Sequence, residues 1–313
     1  MSKLVHPAFV AVLLLCLPQA PMADEDTNPF YSQLHEALQR YQALEQSGSW
    51  PTVPQGPTLQ AGDTDVRVAS LRQRLLASGK LPVEGHPDLN DYFDADLLEA
   101  VENFQDRHGL AVDGIVGPAT LAALNTPLPH RIAQMRINLQ RMSELALQPE
   151  GLVILINVPA YELFWLEDRR TIWRTRVQVG NPETPTPQFE SVLTRIVVNP
   201  SWAVPRSIAV EEILPRIQED PGYLGAQQIE VFHLVGQPVN ADTIDWLSLG
   251  SASFPYRLVQ RPCAINSLGR IKFVFPNEEA IYLHDTPQQA LFEASRRAFS
   301  HGCIPVSYTH LTL

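Results

Sequence analysis

The spacing of apolar residues changes at Leu152, and this change constrains the fold more than any other feature of the chain. Over residues 66–124, apolar side chains recur every three or four positions, as on one face of a helix. From Leu152 onward they form short runs bounded by Pro, Gly and Asp, as buried strands do. A chain of 313 residues is long enough for two domains. The pattern predicts a multidomain α + β protein, with a small three-helix domain before a β-rich domain.

The first residues of the chain have the composition of a secretory signal peptide. Lys3 and His6 precede an apolar run over residues 8–17 and an exit that contains small residues. The run is about half as long as the ~20 residues that a membrane-spanning helix needs. Cys16 follows a leucine rather than a small residue, so we do not expect a lipid-modified N-terminus. We expect cleavage of residues 1–23 and a mature protein in the periplasm.

Charge and motif content exclude several classes of partner. The formal net charge is −11, with 23 Lys and Arg against 34 Asp and Glu. An acidic chain binds nucleic-acid phosphates poorly, so we expect no nucleic acid. The sequence has no Cys/His spacing of the zinc-site kind and none of the usual phosphate-binding glycine loops, so we expect no metal and no cofactor.

The sequence of the N-terminal half predicts helices separated by helix-breaking Pro and Gly residues. A helix is expected over residues 30–46, and a linker rich in Pro and Gly follows it. Asp94 is expected to cap the second helix of the three-helix domain, and Pro118 to open the third. The predicted core is Leu71, Leu75, Val101, Phe104 and Leu121. The predicted boundaries are 24–57 for the first helix and linker, 58–128 for the three-helix domain, and 129–150 for a connecting helix with its apolar stripe over 131–147.

Four segments of the three-helix domain form a recognisable set. They are LRQRL (71–75), AVENFQ (100–105), HGL (108–110) and DGIVGPAT (113–120). With these segments the domain resembles the peptidoglycan-binding domain of many cell-wall hydrolases and synthases. The resemblance implies peptidoglycan, both glycan and stem peptides, as the partner. Most of the matching residues serve turns and core, so a helical spacer without a ligand is the alternative.

The C-terminal half predicts a mixed or barrel-like sheet, with few and peripheral helices, over residues 151–313. Strands are expected over 152–158, 161–166, 172–179 and 192–199, with a turn at 168–170. Residues 207–266 do not continue this pattern and form an insertion, helical over 208–217.

The stretch SHGCI over residues 300–304 and the upstream His284 hold the chemistry of this domain. A cysteine is nucleophilic as its thiolate, and a nearby imidazole can accept its proton, so Cys303 with a histidine is a minimal acyl-transfer pair. Gly302 leaves the backbone beside the sulfur uncrowded. The alternative is that these residues have no catalytic role, because single cysteines are usually small buried residues and histidines are usually surface or satisfied core residues.

The motifs around these residues point to one family. They are YLHDTP (282–287), RAFSHGC (297–303), NVPAYEL (157–163), NPSWAVP (199–205) and LGRIKFVFPN (268–277). They resemble the YkuD-type L,D-transpeptidase catalytic domain of the long, Gram-negative kind. The resemblance implies that Cys303 is the nucleophile and His284 the general base. It also implies that His301 and Ser300 shape the loop and that the Gly302 and Cys303 N–H groups form the oxyanion hole, although the two histidines could exchange roles.

The same resemblance implies a reaction. The thiolate attacks the carbonyl between the third residue of a tetrapeptide stem and its terminal D-Ala, and D-Ala leaves. An amine of a neighbouring stem resolves the thioester and forms a 3→3 cross-link in the cell wall. Acylation by carbapenem-type β-lactams is also implied, and the insertion would form a lid beside the site, with an ordinary surface excursion as the alternative.

The chain departs from the family at Pro305, where the family has an arginine. We expect that the residues after Ile304 are not native and that the catalytic domain is incomplete at its C-terminus. Two alternatives follow: a cysteine-dependent L,D-carboxypeptidase or hydrolase, and a wall-binding protein without activity. Cys263 stands where the family has glycine, and we expect it to be structural. Cys263 and Cys303 are expected as free thiols in a monomer. The alternative is a disulfide between them, which an oxidising compartment would allow.

Overall fold

The computed structural model describes residues 9–11, 29–79, 91–143 and 151–307. Its N-terminal half is helical and its C-terminal half is rich in strands, which confirms the predicted α + β class. The helices are α1 (Pro29–Ser47), α2 (Val66–Ala77), α3 (Ala95–Arg107), α4 (Pro118–Leu124), α5 (Leu128–Ser143), α6 (Arg206–Ile208), α7 (Leu214–Glu219) and α8 (Tyr223–Ala226). Within the described ranges, no helix is both long and apolar enough to cross a membrane.

The strands lie in three main sheets and one short pair. The strands are β1 (Phe9–Ala11), β2 (Leu152–Asn157), β3 (Glu162–Glu167), β4 (Arg170–Arg176), β5 (Val179–Gly180), β6 (Glu190–Val192), β7 (Arg195–Val198), β8 (Trp202–Ala203), β9 (Ile229–His233), β10 (Pro238–Val239), β11 (Tyr256–Gln260), β12 (Ile271–Val274), β13 (Leu283–His284), β14 (Ala298–Ser300) and β15 (Ile304–Pro305). The sheet orders are β4-β3-β2-β1-β6, β10-β9-β11-β8, β15-β13-β12-β7 and β14-β5. Parallel and antiparallel pairs occur together, as the prediction of a mixed sheet requires.

Helices α2, α3 and α4 enclose one apolar core. All five predicted core residues are at most 6% exposed. Asp94 caps α3, since its side chain accepts a hydrogen bond from the Leu97 N–H, and Pro118 occupies the first turn of α4. The predicted caps of this domain are therefore confirmed.

Gln105 is fully buried on α3 and holds the turn that precedes α4. Its Oε1 accepts hydrogen bonds from the N–H groups of Asp113 and Gly114, at 3.1 and 2.9 Å. Its Nε2 donates to the Ile115 carbonyl at 2.9 Å and to the Thr120 hydroxyl at 3.1 Å. One amide thus satisfies the polar groups of a partly buried turn that no regular ladder pairs.

Replacing Gln105 with leucine should lower the free energy of unfolding of this domain by about 3 kcal/mol. Leucine keeps the approximate shape but leaves the buried Gly114 N–H without its partner and removes one of the two hydrogen bonds to the Ile115 carbonyl. Hydrogen exchange of the full chain, measured by mass spectrometry on peptides from 95–124, reports the loss locally. The control is Gln73→Leu, since Gln73 is exposed on α2. Equal protection in the two variants would rule out this role for Gln105.

Helices α1 and α5 pack together beside the three-helix domain. The shared buried residues are Leu38, Leu128, Ile132 and Leu139. Helix α5 begins at Leu128, three residues before the predicted start of its stripe. The Pro- and Gly-rich linker is anchored rather than loose, because the Asn125 side chain donates to the Val53 carbonyl and accepts from its N–H, both at 2.8 Å.

Strand β1 lies between β2 and β6, parallel to the first and antiparallel to the second. It falls within residues 1–23, the predicted signal peptide, and the rest of that segment lies outside the described residues. Cleavage of the signal peptide stays a prediction. It would remove β1 and leave the facing edges of β2 and β6 without their backbone partners.

The insertion over residues 207–266 folds around its own apolar core. Helix α6, a π-helical turn at Ala209–Ile213 and helix α7 follow one another, which confirms the helix predicted over 208–217. They pack with sheet β10-β9-β11-β8. The shared buried residues are Ala209, Ile213, Leu214, Ile217, Leu224, Ile229, Val231, Phe254 and Leu258. The insertion is therefore a folded unit.

Candidate functional site

The sheet β15-β13-β12-β7 brings the predicted thiol and imidazole to one face. His284 on β13 is the antiparallel partner of Lys272 on β12. Tyr282 precedes His284 by two residues, so their side chains share a face, and their ring centroids are 5.6 Å apart. The N–H of Ile304 donates to the Tyr282 carbonyl at 3.0 Å, which places Cys303 beside Tyr282.

The Cys303 thiol is partly buried and protonated in its resting state. It donates a long hydrogen bond to the Ala280 carbonyl at 3.8 Å. Burial raises the pKa of the Cys303 thiol, while hydrogen bonds from the Tyr282 backbone and hydroxyl and the nearby Lys272 charge act in the opposite direction. Ala280 has a φ of 55°, a left-handed conformation that is costly for a residue other than glycine. The residue whose carbonyl accepts the hydrogen bond from the thiol therefore has a strained backbone conformation.

His284 is buried and electrically neutral near pH 7. Burial, together with a smaller effect of the positive charge of Lys272, lowers the pKa of its imidazole to about 4, although the hydrogen bond to the Asp285 backbone acts in the opposite direction. Its Nδ1 lies 2.6 Å from the Asp285 carbonyl oxygen, which selects the tautomer with the proton on Nδ1. The Nε2 lone pair is then available to accept a proton.

The residues after His284 hold it in place but do not begin a helix. The Asp285 carboxylate accepts a hydrogen bond from the Arg270 N–H at 2.8 Å. A cap residue followed by proline, as at Thr286 and Pro287, predicts the start of a helix. This prediction is wrong, because the next helical turn is a 3₁₀ helix at Gln289–Glu293. The Thr286 hydroxyl instead accepts from the Gln288 N–H at 3.2 Å, which makes a short turn.

The loop before Cys303 is closed by two hydroxyl groups. The Ser300 hydroxyl donates to the Cys303 carbonyl and accepts from the Gly302 N–H. Gly302 has a φ of 102°, which glycine adopts without strain. Thr186, which the sequence analysis did not single out, is buried and donates to the Gly302 carbonyl at 2.8 Å. Ser300, Gly302 and Thr186 thus hold this loop together, and the functional roles of Ser300 and Gly302 stay predictions.

The His301 side chain points toward the insertion. Its Nε2 lies 2.6 Å from Oε1 of Glu212, in the π-helical turn between α6 and α7. About two fifths of each side chain is exposed, so the pair lies at the surface. The contact places the insertion beside the loop that precedes Cys303, which we call the nucleophile loop after its predicted role.

Tyr282 and Lys272 belong to the site but were not singled out from the sequence. The Tyr282 hydroxyl is hydrogen-bonded with Cys303 and with Trp202, and burial raises the pKa of this phenol. The Lys272 ammonium lies 3.6 Å from the centroid of the Tyr282 ring. For Tyr282, the available sequence signal was its position two residues before His284, since residues two apart in a strand share a face.

Cys263 lies apart from these side chains. It lines a cavity of about 500 Å³ together with Arg270, Asp285 and Pro287. Cys263 and Cys303 are both free thiols in the structure. The disulfide alternative is not realised here.

Two regions of the chain match known families. Residues 151–311 match the YkuD family, described as "L,D-transpeptidase catalytic domain". Residues 64–124 match the family described as "Putative peptidoglycan binding domain". These spans lie inside the predicted ranges 151–313 and 58–128.

Two curated relatives align with parts of the chain. A Haemophilus influenzae protein named "Putative L,D-transpeptidase" is 36% identical over 173 residues, which is 55% of this chain and 35% of the relative. The "N-acetylmuramoyl-L-alanine amidase CwlM" of Mycobacterium tuberculosis is 40% identical over 80 residues, 24% of this chain and 20% of the relative. The chain thus spans about a third of the length of the first relative and a fifth of the second.

One solved structure shares a weak likeness with the chain. It is the crystal structure of the L,D-transpeptidase (residues 123–326) from Xylanimonas cellulosilytica, at 19% identity. The match covers 81% of this chain and 88% of that chain, with a TM-score of 0.24.

Proposed function

We propose a specific reaction for this chain on the premise that it belongs to the YkuD family of L,D-transpeptidase catalytic domains. It would form 3→3 cross-links in peptidoglycan through a thioester on Cys303. The observation that carries the proposal is the placement of a protonated thiol and a neutral, buried imidazole on one face of a sheet. Thiol and imidazole in this state are the starting pair for acyl transfer.

The proposed first step transfers the stem peptide to sulfur. The Cys303 sulfur attacks the carbonyl carbon between the third stem residue and the terminal D-Ala, and Nε2 of His284 accepts the thiol proton. Collapse of the tetrahedral intermediate breaks the C–N bond, and the same proton passes to the departing D-Ala amine. The Cys303 N–H is the better candidate for oxyanion binding, because the Gly302 N–H already donates to Ser300.

The proposed second step releases the thioester. The side-chain amine of the third residue in a neighbouring stem attacks the thioester carbonyl, and His284 accepts the proton of that amine. A new amide bond forms, the C–S bond breaks, and the thiol regains its proton. The three-helix domain would hold the chain on its substrate by binding peptidoglycan, in the periplasm, where that polymer lies.

Product analysis tests this proposal directly. Purified chain incubated with disaccharide tetrapeptides should yield a cross-linked dimer and one free D-Ala for each bond formed, both measured by liquid chromatography with mass spectrometry. A trimmed tripeptide monomer with free D-Ala would show transfer to water, and would assign a hydrolase instead. Unchanged substrate with retained binding to sacculi would leave only the wall-binding role.

The insertion is proposed to act as a lid that Glu212 ties to the nucleophile loop. Glu212→Gln should lower kcat/KM for the tetrapeptide by about 3- to 10-fold, because the loop loses its charged partner. An exposed ion pair contributes at most about 1 kcal/mol to stability, so the free energy of unfolding should change little. Steady-state D-Ala release measures the change in kcat/KM, and urea unfolding measures the change in the free energy of unfolding.

Glu211→Gln is the matched control for this prediction. Glu211 is the exposed neighbour on the same π-helical turn and loses the same charge. An equal loss of activity in both variants would mean that the general charge of the insertion matters, rather than the contact with His301.

A further inference from the structure

The proposed reaction requires a donor stem that ends in D-Ala, and therefore in a carboxylate. Three covalent bonds separate this carboxyl carbon from the carbonyl that the thiol attacks, which is a distance of about 4 Å. A donor seated on Cys303 thus brings a negative charge within a few ångströms of the sulfur. The site needs a cation at that distance if it is to recognise the end of the stem.

Lys272 is such a cation. Its ammonium lies 3.6 Å from the centroid of the Tyr282 ring, and the hydroxyl of that tyrosine is hydrogen-bonded with Cys303. Lys272 is also the cross-strand partner of His284, so cross-strand Cβ atoms are about 5 Å apart. The ammonium therefore lies about one aromatic ring away from the reacting atoms.

The surroundings of Lys272 provide an aromatic face and a second cation. Among the described residues, no carboxylate forms an ion pair with it. Arg195 pairs with Val274, two residues along β12, so it shares the face of Lys272. Burial lowers the pKa of the Lys272 ammonium, Cys303 acts in the opposite direction, and the positive charge of Arg195 lowers the pKa. A partly buried ammonium without an acidic partner is costly unless a ligand supplies the anion.

The amino-acid choice is also unusual for this chain. It contains three lysines, and Lys272 is the only one after Lys80, whereas the remaining basic residues are arginines. The formal net charge is −11, so a pair of cations at the nucleophile runs against the average character of the chain. A lysine presents a compact point charge on a flexible stem, which suits a single carboxylate at the end of a peptide.

We propose that Lys272 binds the terminal carboxylate of the donor stem and makes the enzyme specific for donors that end in a free D-Ala carboxylate. This inference rests on the proposed function for the identity of the donor. Lys272 would neutralise the carboxylate and align the scissile bond over the sulfur of Cys303. Arg195, exposed at the edge strand β7, would add to the attraction without the same contact.

Peptide binding to a chain that lacks the nucleophile tests the inference without relying on turnover. In the Cys303→Ala background, isothermal titration calorimetry would compare the tetrapeptide L-Ala-γ-D-Glu-meso-diaminopimelate-D-Ala with the same peptide ending in D-alaninamide. The two probes differ only in the terminal charge. We expect the carboxylate form to bind about 10- to 100-fold more tightly, since hydrogen bonds between charged groups are the stronger class.

Adding Lys272→Met should reduce this preference to within about threefold, chiefly by weakening the carboxylate peptide. Lys272→Arg should keep most of the preference, because the positive charge remains. Arg257→Gln is the charge-matched control, since it removes an exposed cation on β11 in the insertion, and it should leave the preference intact.

Three results would overturn the inference: binding of neither peptide, equal affinity for the two, or a preference that survives Lys272→Met. A loss of affinity for both peptides by the same factor would point to a purely structural role and overturn it as well. The proposed function fails separately, if the unmodified chain releases no D-Ala from the tetrapeptide. A carboxylate preference that depends on Lys272 can therefore stand even when the assigned reaction does not.

Discussion

Replacing Cys303 with alanine is expected to abolish acylation of the chain, with a loss of at least about 1,000-fold in the rate of D-Ala release. The thioester needs a sulfur at this position, and Cys303 supplies the only thiol that the described residues place beside Tyr282. The neighbouring hydroxyl of Ser300 is committed to the Cys303 carbonyl and the Gly302 N–H. Any residual rate would come from binding and oxyanion contacts alone.

A carbapenem-type β-lactam and intact-mass spectrometry measure this prediction. The unmodified chain should gain the mass of one carbapenem, and Cys303→Ala should gain none. Cys263→Ala is the matched control, because its thiol lines a separate cavity with Asp285 and Pro287. An adduct that disappears only in Cys263→Ala would move the nucleophile to the other cysteine and refute the assignment.

The pH dependence of this acylation follows from the resting state of the thiol. Burial raises the pKa of Cys303, so the thiolate is scarce at neutral pH. The acylation rate should therefore increase as pH rises above neutrality. A rate that is flat from pH 6 to pH 9 would indicate a preformed thiolate instead.

The sequence was informative wherever a property is local. Helix caps such as Asp94 and breakers such as Pro118 act over one turn, and strand periodicity repeats within a few residues. The Thr286 and Pro287 pair was misread for the same reason, since a cap residue followed by proline opens both helices and turns. A local signal of this kind therefore identifies the start of an element but does not by itself distinguish a helix from a turn.

The contacts that complete the site are long-range and could not be predicted from one sequence. Lys272 meets His284 only through the register of β12 with β13. Thr186 reaches Gly302 across 116 residues, and Glu212 reaches His301 from a separate folded unit. Once strand pairing is known, alternation places Tyr282 and Lys272 on the face of His284, so the missing information was register rather than residue type.

The contacts of the two histidines favour His284 over His301 as the general base, a choice that the sequence left open. His301 pairs with a surface glutamate of the insertion, whereas His284 is buried, neutral and fixed in one tautomer. We therefore expect His284→Gln to lower kcat for D-Ala release by about 100- to 10,000-fold, the range for loss of a general base. His301→Gln is the matched control and should lower it by about tenfold or less.

His284→Gln should also make the free energy of unfolding less sensitive to acid. This effect reports the burial of a titrating group, independently of catalysis. The folded-state pKa of about 4 lies below the ordinary value of 6.5, so the unfolded chain binds the proton first as pH falls. Above pH 6.5 His284 contributes nothing to the pH dependence. Between pH 6.5 and pH 4 stability is lost, about 2 kcal/mol by pH 5, at 1.36 kcal/mol per pKa unit.

Urea unfolding at pH 7.5 and pH 5 measures this loss of stability. The unmodified chain should lose about 2 kcal/mol more than His284→Gln between the two pH values, because glutamine does not titrate. The buried His108 also has a pKa lowered to about 4, but it is present in both proteins and cancels in the difference. An equal acid loss in both proteins would rule out a lowered pKa for the folded-state imidazole of His284. A larger loss of kcat in His301→Gln would exchange the roles proposed for the two histidines.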